Sequence, residues 1–279
     1  MRLGFHISIA GGFKKVVSRA KERRCMTVQF FSRNPRGWRY KPLDKEDIAL
    51  FKKEIEKEDI SPIFVHMPYL PNLASANPDL SRRSVAALIE DLQRSEFIGA
   101  HYLISHIGSS EDEEKGIEHM IDAINQAFRE VKNNVILLLE NTAGGGHELG
   151  YTFDHIEKII KGVDEDKRIG VVIDTAHAFE AGYDLKTAKG VAQTIDEFHA
   201  IVGLDKLHLI HLNDSKTKCG TRMDRHWHIG QGEIGNGMRY ILQHPTLTNL
   251  PFIIETPRMD VKDDLMNLAT AEKFLRTKG

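Results

Sequence analysis

The sequence is poor in cysteine and has no long apolar run. Its 279 residues include two cysteines, Cys25 and Cys219, which form no C-x-x-C pair, so a disulfide framework is not expected. The N-terminus is too short and too rich in glycine for a signal peptide. No apolar stretch approaches the roughly 20 residues of a membrane-spanning helix. We therefore expect an intracellular protein that is not attached to a membrane.

A strong excess of charge is also missing. The chain has 38 basic and 40 acidic residues and a formal net charge of −2, so its composition does not indicate a broadly basic surface for nucleic acid. Bound divalent ions would change this balance, because each adds two positive charges. The hydrophobic content of 41% is ample for one full core in a domain of barrel size.

Short apolar runs alternate with amphipathic runs along the chain. Eight runs are apolar on both parities, as in parallel strands that are buried on both faces. They are residues 2–8, 26–31, 62–66, 102–106, 135–140, 170–174, 206–211 and 252–256. Stretches with helical spacing separate them. The pattern predicts an α/β fold, a single-domain (β/α)8 TIM barrel over residues 1–279; an open doubly wound sheet has the same order of elements.

Six of the eight predicted strands end on, or next to, a residue that can bind metal or transfer a proton. These residues are His66, His106, Glu140, Asp174, His211 and Glu255. In a barrel, the carboxyl ends of all strands open onto one face, where active sites form. Any one of these residues taken alone is as well explained by a structural role. The set of six predicts a metal site at the C-terminal face.

Local spacing adds three more candidate ligands. Asp174 and His177 are three residues apart, so one helical turn brings them together. Asp224 and His226 are two apart, which places both on one side of an extended segment. The second pair lies in residues 211–235, a long stretch without helical or strand period, and such loops are usually functional or disordered. Nine candidates are too many for one ion and suit two or three Zn²⁺ or Mn²⁺ ions with a bridging carboxylate.

Six segments of the sequence carry a family resemblance. They are FHISIAGG (5–12), RNPRGW (33–38), LLENTAGGG (138–146), VIDTAHAFEAGYDL (172–185), HLNDSK (211–216) and DRHWHIGQGEIG (224–235). Together they resemble the endonuclease IV family of apurinic/apyrimidinic endonucleases, and the resemblance runs from Gly4 to Glu255. It implies a TIM barrel that carries three zinc ions; Mn²⁺ stays the alternative metal on the chemistry of the ligand set.

The resemblance also implies which ion each candidate binds. The implied ligands are His66 and His106 for the first ion, Asp174, His211 and Glu255 for the second, Glu140 as the bridge between these two, and His177, Asp224 and His226 for the third. His228 adds an imidazole close to the third set. It could compete as a ligand or contact a phosphate.

The activity that the resemblance implies is DNA repair. The enzyme would hydrolyse the phosphodiester 5′ to an abasic site through a metal-bound hydroxide, leaving a 3′-hydroxyl and a 5′-deoxyribose phosphate. Glu140 would bridge the ions and orient the hydroxide, and Glu255 would support it. Processing of 3′ ends is a further expectation. The expected partner is double-stranded DNA with abasic sites, bound by a monomer.

Residues outside the metal site would recognise the lesion. The resemblance places Arg36 and Tyr69 in the DNA at the abasic site, where Arg can contact phosphate and Tyr offers a stacking face. Gly11 and Gly12 would let the backbone approach the phosphodiester and present N–H groups. Further candidates for phosphate contacts are Arg33, Arg39, Lys41, Lys216, Lys218 and Arg222.

Two other functions explain part of the pattern. A sugar isomerase or epimerase on a similar barrel uses one or two metals, which accounts for the strand ends but not for His177, Asp224 and His226. A metal-stabilised protein that binds abasic DNA without cutting it is the second alternative. Metal stoichiometry and a DNA incision assay separate the three hypotheses.

Overall fold

The computed structural model describes residues 1–277, which fold around a closed barrel of eight parallel strands. The barrel strands are β1 (Arg2–His6), β2 (Thr27–Phe31), β3 (Ile63–His66), β4 (Tyr102–His106), β5 (Ile136–Glu140), β6 (Ile169–Asp174), β7 (Leu207–His211) and β10 (Pro251–Ile254). Two short strands, β8 (Asp214–Ser215) and β9 (His226–Trp227), lie outside the barrel. Around the barrel the order is β1, β10, β7, β6, β5, β4, β3 and β2, while β8 and β9 pair separately. The predicted TIM-barrel fold is confirmed.

Helices follow the strands and cover the outside of the barrel. They are α1 (Lys14–Glu22), α2 (Lys45–Lys57), α3 (Pro78–Ile98), α4 (Glu113–Glu130), α5 (Phe153–Gly162), α6 (Thr175–Ala181), α7 (Ala188–Ile201), α8 (Met238–Leu242) and α9 (Val261–Arg276). Two of them, α6 and α7, follow β6. Within residues 1–277, none of the helices combines the length and the apolar character that a membrane crossing needs.

Most helices begin at a side chain that accepts hydrogen bonds from their first N–H groups. These capping residues are Asp44 (α2), Asn77 (α3), Asp112 (α4), Thr152 (α5), Asp174 (α6), Thr187 (α7) and Asp260 (α9). Each such cap contributes about 1 kcal/mol. Asp174 is therefore both the last residue of β6 and the cap of α6, and its Oδ1 accepts from the His177 N–H at 2.9 Å.

An apolar layer fills the barrel directly beneath the predicted ligands. Its buried residues are Phe64, Ile104, Leu138, Val172, Leu209 and Ile253, one from each of six strands. Each lies two positions before the predicted ligand on its strand, and alternate residues of a strand face the same side. The alternation that buries the barrel core therefore also directs the six strand-end ligands inward, above that core.

The strand boundaries differ slightly from the predicted ones. The first predicted strand, 2–8, ends at His6, and Glu255 lies one residue beyond β10. The segment 211–235, for which the sequence shows no period, contains the antiparallel pair β8–β9, with Ser215 opposite His226. The pairing means that this segment folds back on itself rather than forming an open loop.

Candidate metal centre

Glu140 lies at the centre of the site. Its Oε2 is 3.0 Å from Nε2 of His66 and 3.6 Å from Nε2 of His106, and its Oε1 is 2.8 Å from Nδ1 of His211. Burial raises the pKa of this carboxyl, but the charges of His211 and His106 and the hydrogen bonds of His211 and His66 outweigh burial and hold the pKa well below its ordinary value. The carboxylate is anionic, and its two oxygens face different imidazoles.

The predicted ligands come together in three groups of atoms that lie within 4.8 Å of one another. Among residues 1–277, the first ligand group is His66, His106 and Glu140, the second is Glu140, Asp174, His211 and Glu255, and the third is Asp174, His177 and His226. Glu140 belongs to the first and second groups, and Asp174 to the second and third. The three groups therefore form one continuous site.

The two imidazoles of the third ligand group face each other. Nε2 of His177 lies 3.3 Å from Nε2 of His226. Nδ1 of His177 lies 2.9 Å from the carbonyl oxygen of Asn141, and Nδ1 of His226 lies 3.3 Å from that of Glu255. Because a carbonyl oxygen only accepts hydrogen bonds, Nδ1 carries the proton when these rings are neutral. Two Nε2 lone pairs then meet, and a shared proton or a cation is needed between them. This donor set fits a divalent ion of the zinc type.

Asp224, which the resemblance assigns to the third ion, lies next to this group without belonging to it. Its Oδ1 lies 3.4 Å from Nε2 of His177 and 3.6 Å from Nε2 of His226, and its side chain is half exposed. Burial lowers the pKa of His177, but the negative charges of Asp174, Asp224 and Glu140 outweigh burial and raise the pKa well above its ordinary value. The negative charges of these three carboxylates would therefore balance a cation bound at the Nε2 atoms of the two histidines.

Contacts behind the ligands fix which ring nitrogen faces the site. Nδ1 of His66 donates to the carbonyl of Met67 at 2.6 Å, and Nε2 of His211 is 2.7 Å from Oε1 of Gln29. These contacts leave Nε2 of His66 and Nδ1 of His211 directed at the carboxylates. Burial lowers the pKa of His211, but Glu255 and Glu140 raise it to about 9.

Gln29 and Asn213, two residues that the sequence reasoning missed, hold predicted ligands in place. Nε2 of Gln29, on β2, donates to Oε1 of Glu255 at 2.6 Å, and Nδ2 of Asn213 donates to Oδ2 of Asp174 at 2.6 Å. His6 also contacts Glu255, with Nδ1 3.1 Å from Oε1. A signal was present for Gln29, because it is a lone amide on the inward-facing side of an apolar strand.

Arg36 and Tyr69 lie at the rim of the site. The Tyr69 side chain is 72% exposed, and its ring centroid is 6.3 Å from that of His66 and 6.1 Å from that of His106. Arg36 is exposed and lines a surface cavity of about 680 Å³ together with Arg258. Arg258 was not singled out from the sequence, although it also lines a smaller cavity with Tyr69.

Gly11 and Gly12 turn the chain between β1 and α1. Both have positive φ, of 85° and 99°. The N–H of Gly12 donates to the carbonyl of Ile9 at 3.0 Å, and a Cβ on Gly12 would lie 2.8 Å from Oδ2 of Asp47. Gly12 thus has a structural reason to be glycine, and the contact of both glycines with DNA stays a prediction.

The sequence groups Arg33 with the candidates for phosphate contact, but the structure buries it. Its side chain stacks on the ring of Tyr40, with the guanidinium carbon 4.1 Å from the centroid, and its Nε lies 3.8 Å from Oδ2 of Asp91. It is 3% exposed and also donates to the carbonyl of Gly37. Arg33 therefore holds the 33–38 loop from the inside and does not offer its charge to a ligand at the surface.

Two further residues of the 211–235 segment have structural contacts. The buried carboxylate of Asp214 accepts hydrogen bonds from the N–H groups of residues 230, 232, 234 and 235. Nδ1 of His228 lies 3.1 Å from Nδ2 of Asn267, and His228 belongs to none of the three ligand groups formed by residues 1–277. Asp214 folds the end of the segment against its beginning.

Comparisons with known proteins agree on the fold. A family model described as xylose isomerase-like TIM barrel matches residues 17–278. The chain is 44% identical over 276 residues to the probable endonuclease 4 of Cenarchaeum symbiosum, covering 97% of this chain and 98% of that protein. The crystal structure of endonuclease IV from Thermus thermophilus superposes with a TM-score of 0.89 at 34% identity, covering 99% of each chain. A D-tagatose 3-epimerase-like protein reaches 0.76 at 17% identity, covering 99% of this chain and 97% of that one, which is a likeness of fold alone.

Proposed function

The chain belongs to the endonuclease IV family, and we propose that it is a DNA-repair endonuclease that hydrolyses the phosphodiester 5′ to an abasic site. The observation that carries the proposal is the third ligand group, which shares Asp174 with the second group, as the second shares Glu140 with the first. With a divalent ion in each of three linked groups, the site would supply positive charge along an extended anionic substrate such as DNA.

We propose that three Zn²⁺ ions bind the nine predicted ligands, with Mn²⁺ as the alternative. The nine side chains comprise five imidazoles and four carboxylates, a mixture that suits zinc or manganese better than the all-oxygen sites of Mg²⁺ and Ca²⁺. When bound, such ions stabilise charge on a phosphate and lower the pKa of water enough to supply a nucleophile at neutral pH.

The chain's own residues prepare the site for this chemistry. Glu140 and Glu255 stay anionic, because their interactions with His211 outweigh the effect of burial and lower the pKa of both carboxyls. Gln29 and Asn213 hold Glu255 and Asp174 in fixed orientations. Little rearrangement is then needed when the substrate arrives, which is how preorganised sites lower a barrier.

Tyr69 and Arg36 are proposed to recognise the lesion. The exposed ring of Tyr69 stands beside His66 and His106, so it can stack against a base next to the abasic site while the sugar reaches the ligand groups. Arg36 can then contact phosphate from the neighbouring loop. Gly11, which is exposed, is the glycine better placed for close approach of DNA to the backbone.

The proposed products are a 3′-hydroxyl and a 5′-deoxyribose phosphate. Processing of blocked 3′ ends is proposed at the same site, because a 3′-terminal phosphoester presents the same kind of bond. The isomerase alternative leaves the third ligand group without a role. A protein that binds abasic DNA without cutting would leave unused the preorganised carboxylates Glu140 and Glu255.

The test is incision of a duplex that contains a single tetrahydrofuran abasic analogue. The same duplex without the lesion serves as the control, and each reaction is run with and without a strong chelator, followed by addition of zinc. We expect one nick on the 5′ side of the lesion, ending in a 3′-hydroxyl, which the chelator abolishes and zinc restores. A nick on the 3′ side, or full cutting in the chelator, would refute the proposal.

A further inference from the structure

A fully buried carboxylate lies directly behind the third ligand group. Glu180 is in the last turn of α6 and is 0% exposed. It follows His177 by three residues, so the same short helix carries a predicted ligand and this carboxylate one turn apart. A buried carboxylate is costly unless it is hydrogen-bonded, and the partners of Glu180 therefore show what it does in the fold.

The three groups that donate hydrogen bonds to the Glu180 side chain belong to the 211–235 segment. Its Oε1 accepts from Oγ of Ser215 at 2.7 Å, from Oγ1 of Thr217 at 3.1 Å and from the N–H of Arg225 at 3.1 Å. Its Oε2 is buried and has no hydrogen-bond partner among residues 1–277. One oxygen thus binds both sides of the β8–β9 hairpin, at residues 215–217 and at residue 225.

Backbone contacts reinforce this attachment. The N–H of Arg222 donates to the carbonyl of Glu180 at 2.9 Å, and the N–H of Gly220 donates to the carbonyl of Phe179 at 3.1 Å. At the outer edge, the guanidinium carbon of Arg222 lies 4.3 Å from the centroid of the Tyr151 ring. The middle of the segment is therefore held against the C-terminal end of α6.

We propose that Glu180 is a positioning residue that sets the place of Asp224 and His226 opposite His177. Arg225 lies between these two residues, so the bond from its N–H to Oε1 fixes the peptide group between Asp224 and Arg225. Because α6 also carries His177, the third ligand group is assembled by one helix that holds both sides. The inference rests on the proposed function in one respect, that the third group binds a metal ion.

The test compares Glu180→Ala with Glu180→Gln. The amide oxygen of Gln can accept the same three hydrogen bonds, whereas Ala accepts none. The matched control is Asp91→Asn, which alters a buried carboxylate that contacts Ser32 and Tyr40 at another loop. Zinc content and affinity are measured by equilibrium dialysis, and the mobility of residues 215–226 is measured by amide hydrogen exchange in the zinc-loaded protein.

We expect Glu180→Ala to weaken one zinc site about 10- to 100-fold, as is usual when a contact behind a ligand is lost, and to speed exchange in residues 215–226. Glu180→Gln should restore zinc binding and slow exchange to nearly the wild-type values, and Asp91→Asn should leave both unchanged. A protein in which Glu180 serves folding alone would lose stability without this selective loss of one ion.

A Glu180→Ala protein with wild-type zinc affinity and wild-type exchange would overturn the inference. If Glu180→Ala does not fold, Thr217→Val replaces it, because this variant removes one partner at the edge of the segment and keeps Glu180. Unchanged zinc affinity and exchange in Thr217→Val would then be the overturning result. A wild-type protein that lacks a third zinc would overturn the ligand assignment, and incision by the wild type tests the proposed function separately.

Discussion

Glu140→Gln is the substitution that tests the proposed centre most directly. The change keeps the size of the side chain and removes one negative charge from the point where the first and second ligand groups meet. The new amide also places an N–H₂ group, which donates, near nitrogen atoms of His66, His106 or His211. Both effects act against a bound cation at two groups at once.

The expected magnitude follows from the charge that is lost. At about 4 Å and an effective dielectric constant of about 20, a pair of unit charges interacts by about 4 kcal/mol. A change of 1.4 kcal/mol corresponds to a factor of ten, so the loss of one charge weakens binding about a thousandfold. The effect on a divalent ion is larger, since its charge is double. We therefore expect the zinc affinity of the first and second groups to fall by at least about a thousandfold.

The assay measures zinc content after dialysis and single-turnover incision of the abasic duplex with the same samples. Glu118→Gln is the control, because it makes the same chemical change on the exposed surface of α4. Zinc content and incision should be lost together in Glu140→Gln and kept together in the control. A Glu140→Gln protein with full zinc and full rate would show that Glu140 is neither a bridge nor a catalytic residue.

Four other outcomes can be checked with the same protein. Removal of metal with a chelator should lower the thermal unfolding temperature, and zinc should restore it, because bound ions stabilise the folded state; an unchanged temperature would contradict a metal centre. Tyr69→Ala should raise KM about tenfold with a smaller change in kcat, since stacking contributes about 1–3 kcal/mol, whereas Tyr69→Phe should keep the wild-type KM. The logarithm of the DNA affinity should fall linearly with the logarithm of salt concentration, and Arg36→Ala should reduce that slope by about one; equal slopes would remove Arg36 from the interface. Burial raises the pKa of Asp91 to about 6, so its contribution to stability is greatest below pH 4 and declines as the pH rises through 6. Urea unfolding in chelator should show a pH slope that Asp91→Asn lacks.

Much of the fold and of the candidate site can be read from local sequence, for one physical reason. The side-chain alternation of a strand does not depend on distant residues. The apolar residue Leu138 and the predicted ligand Glu140, two positions later, therefore both indicate the inward face of their strand. The order of elements then predicts the barrel, and the barrel brings the strand ends together.

The parts that sequence reasoning missed depend on contacts between distant residues. Arg33 reads as a surface cation in the motif RNPRGW, but its burial depends on Asp91, which is far away in the chain. Asp214 reads as one more carboxylate in a ligand-rich stretch, yet backbone N–H groups up to 21 residues later surround it. Neither contact leaves a periodic signal, because the partners belong to loops and not to the faces of regular elements.

The distinction between local and distant contacts also bears on how the function is encoded. The first and second ligand groups come entirely from strand ends, and a barrel can supply them whatever its loops contain. The third group needs Asp174 from a strand end, His177 from α6 and His226 from β9, a strand that exists because the 211–235 segment folds back on itself. The strand ends of the barrel therefore account for only part of the candidate site. The anchoring of one segment to α6 extends that site by a further group, and under the proposed function this extension suits a phosphodiester backbone better than a free sugar.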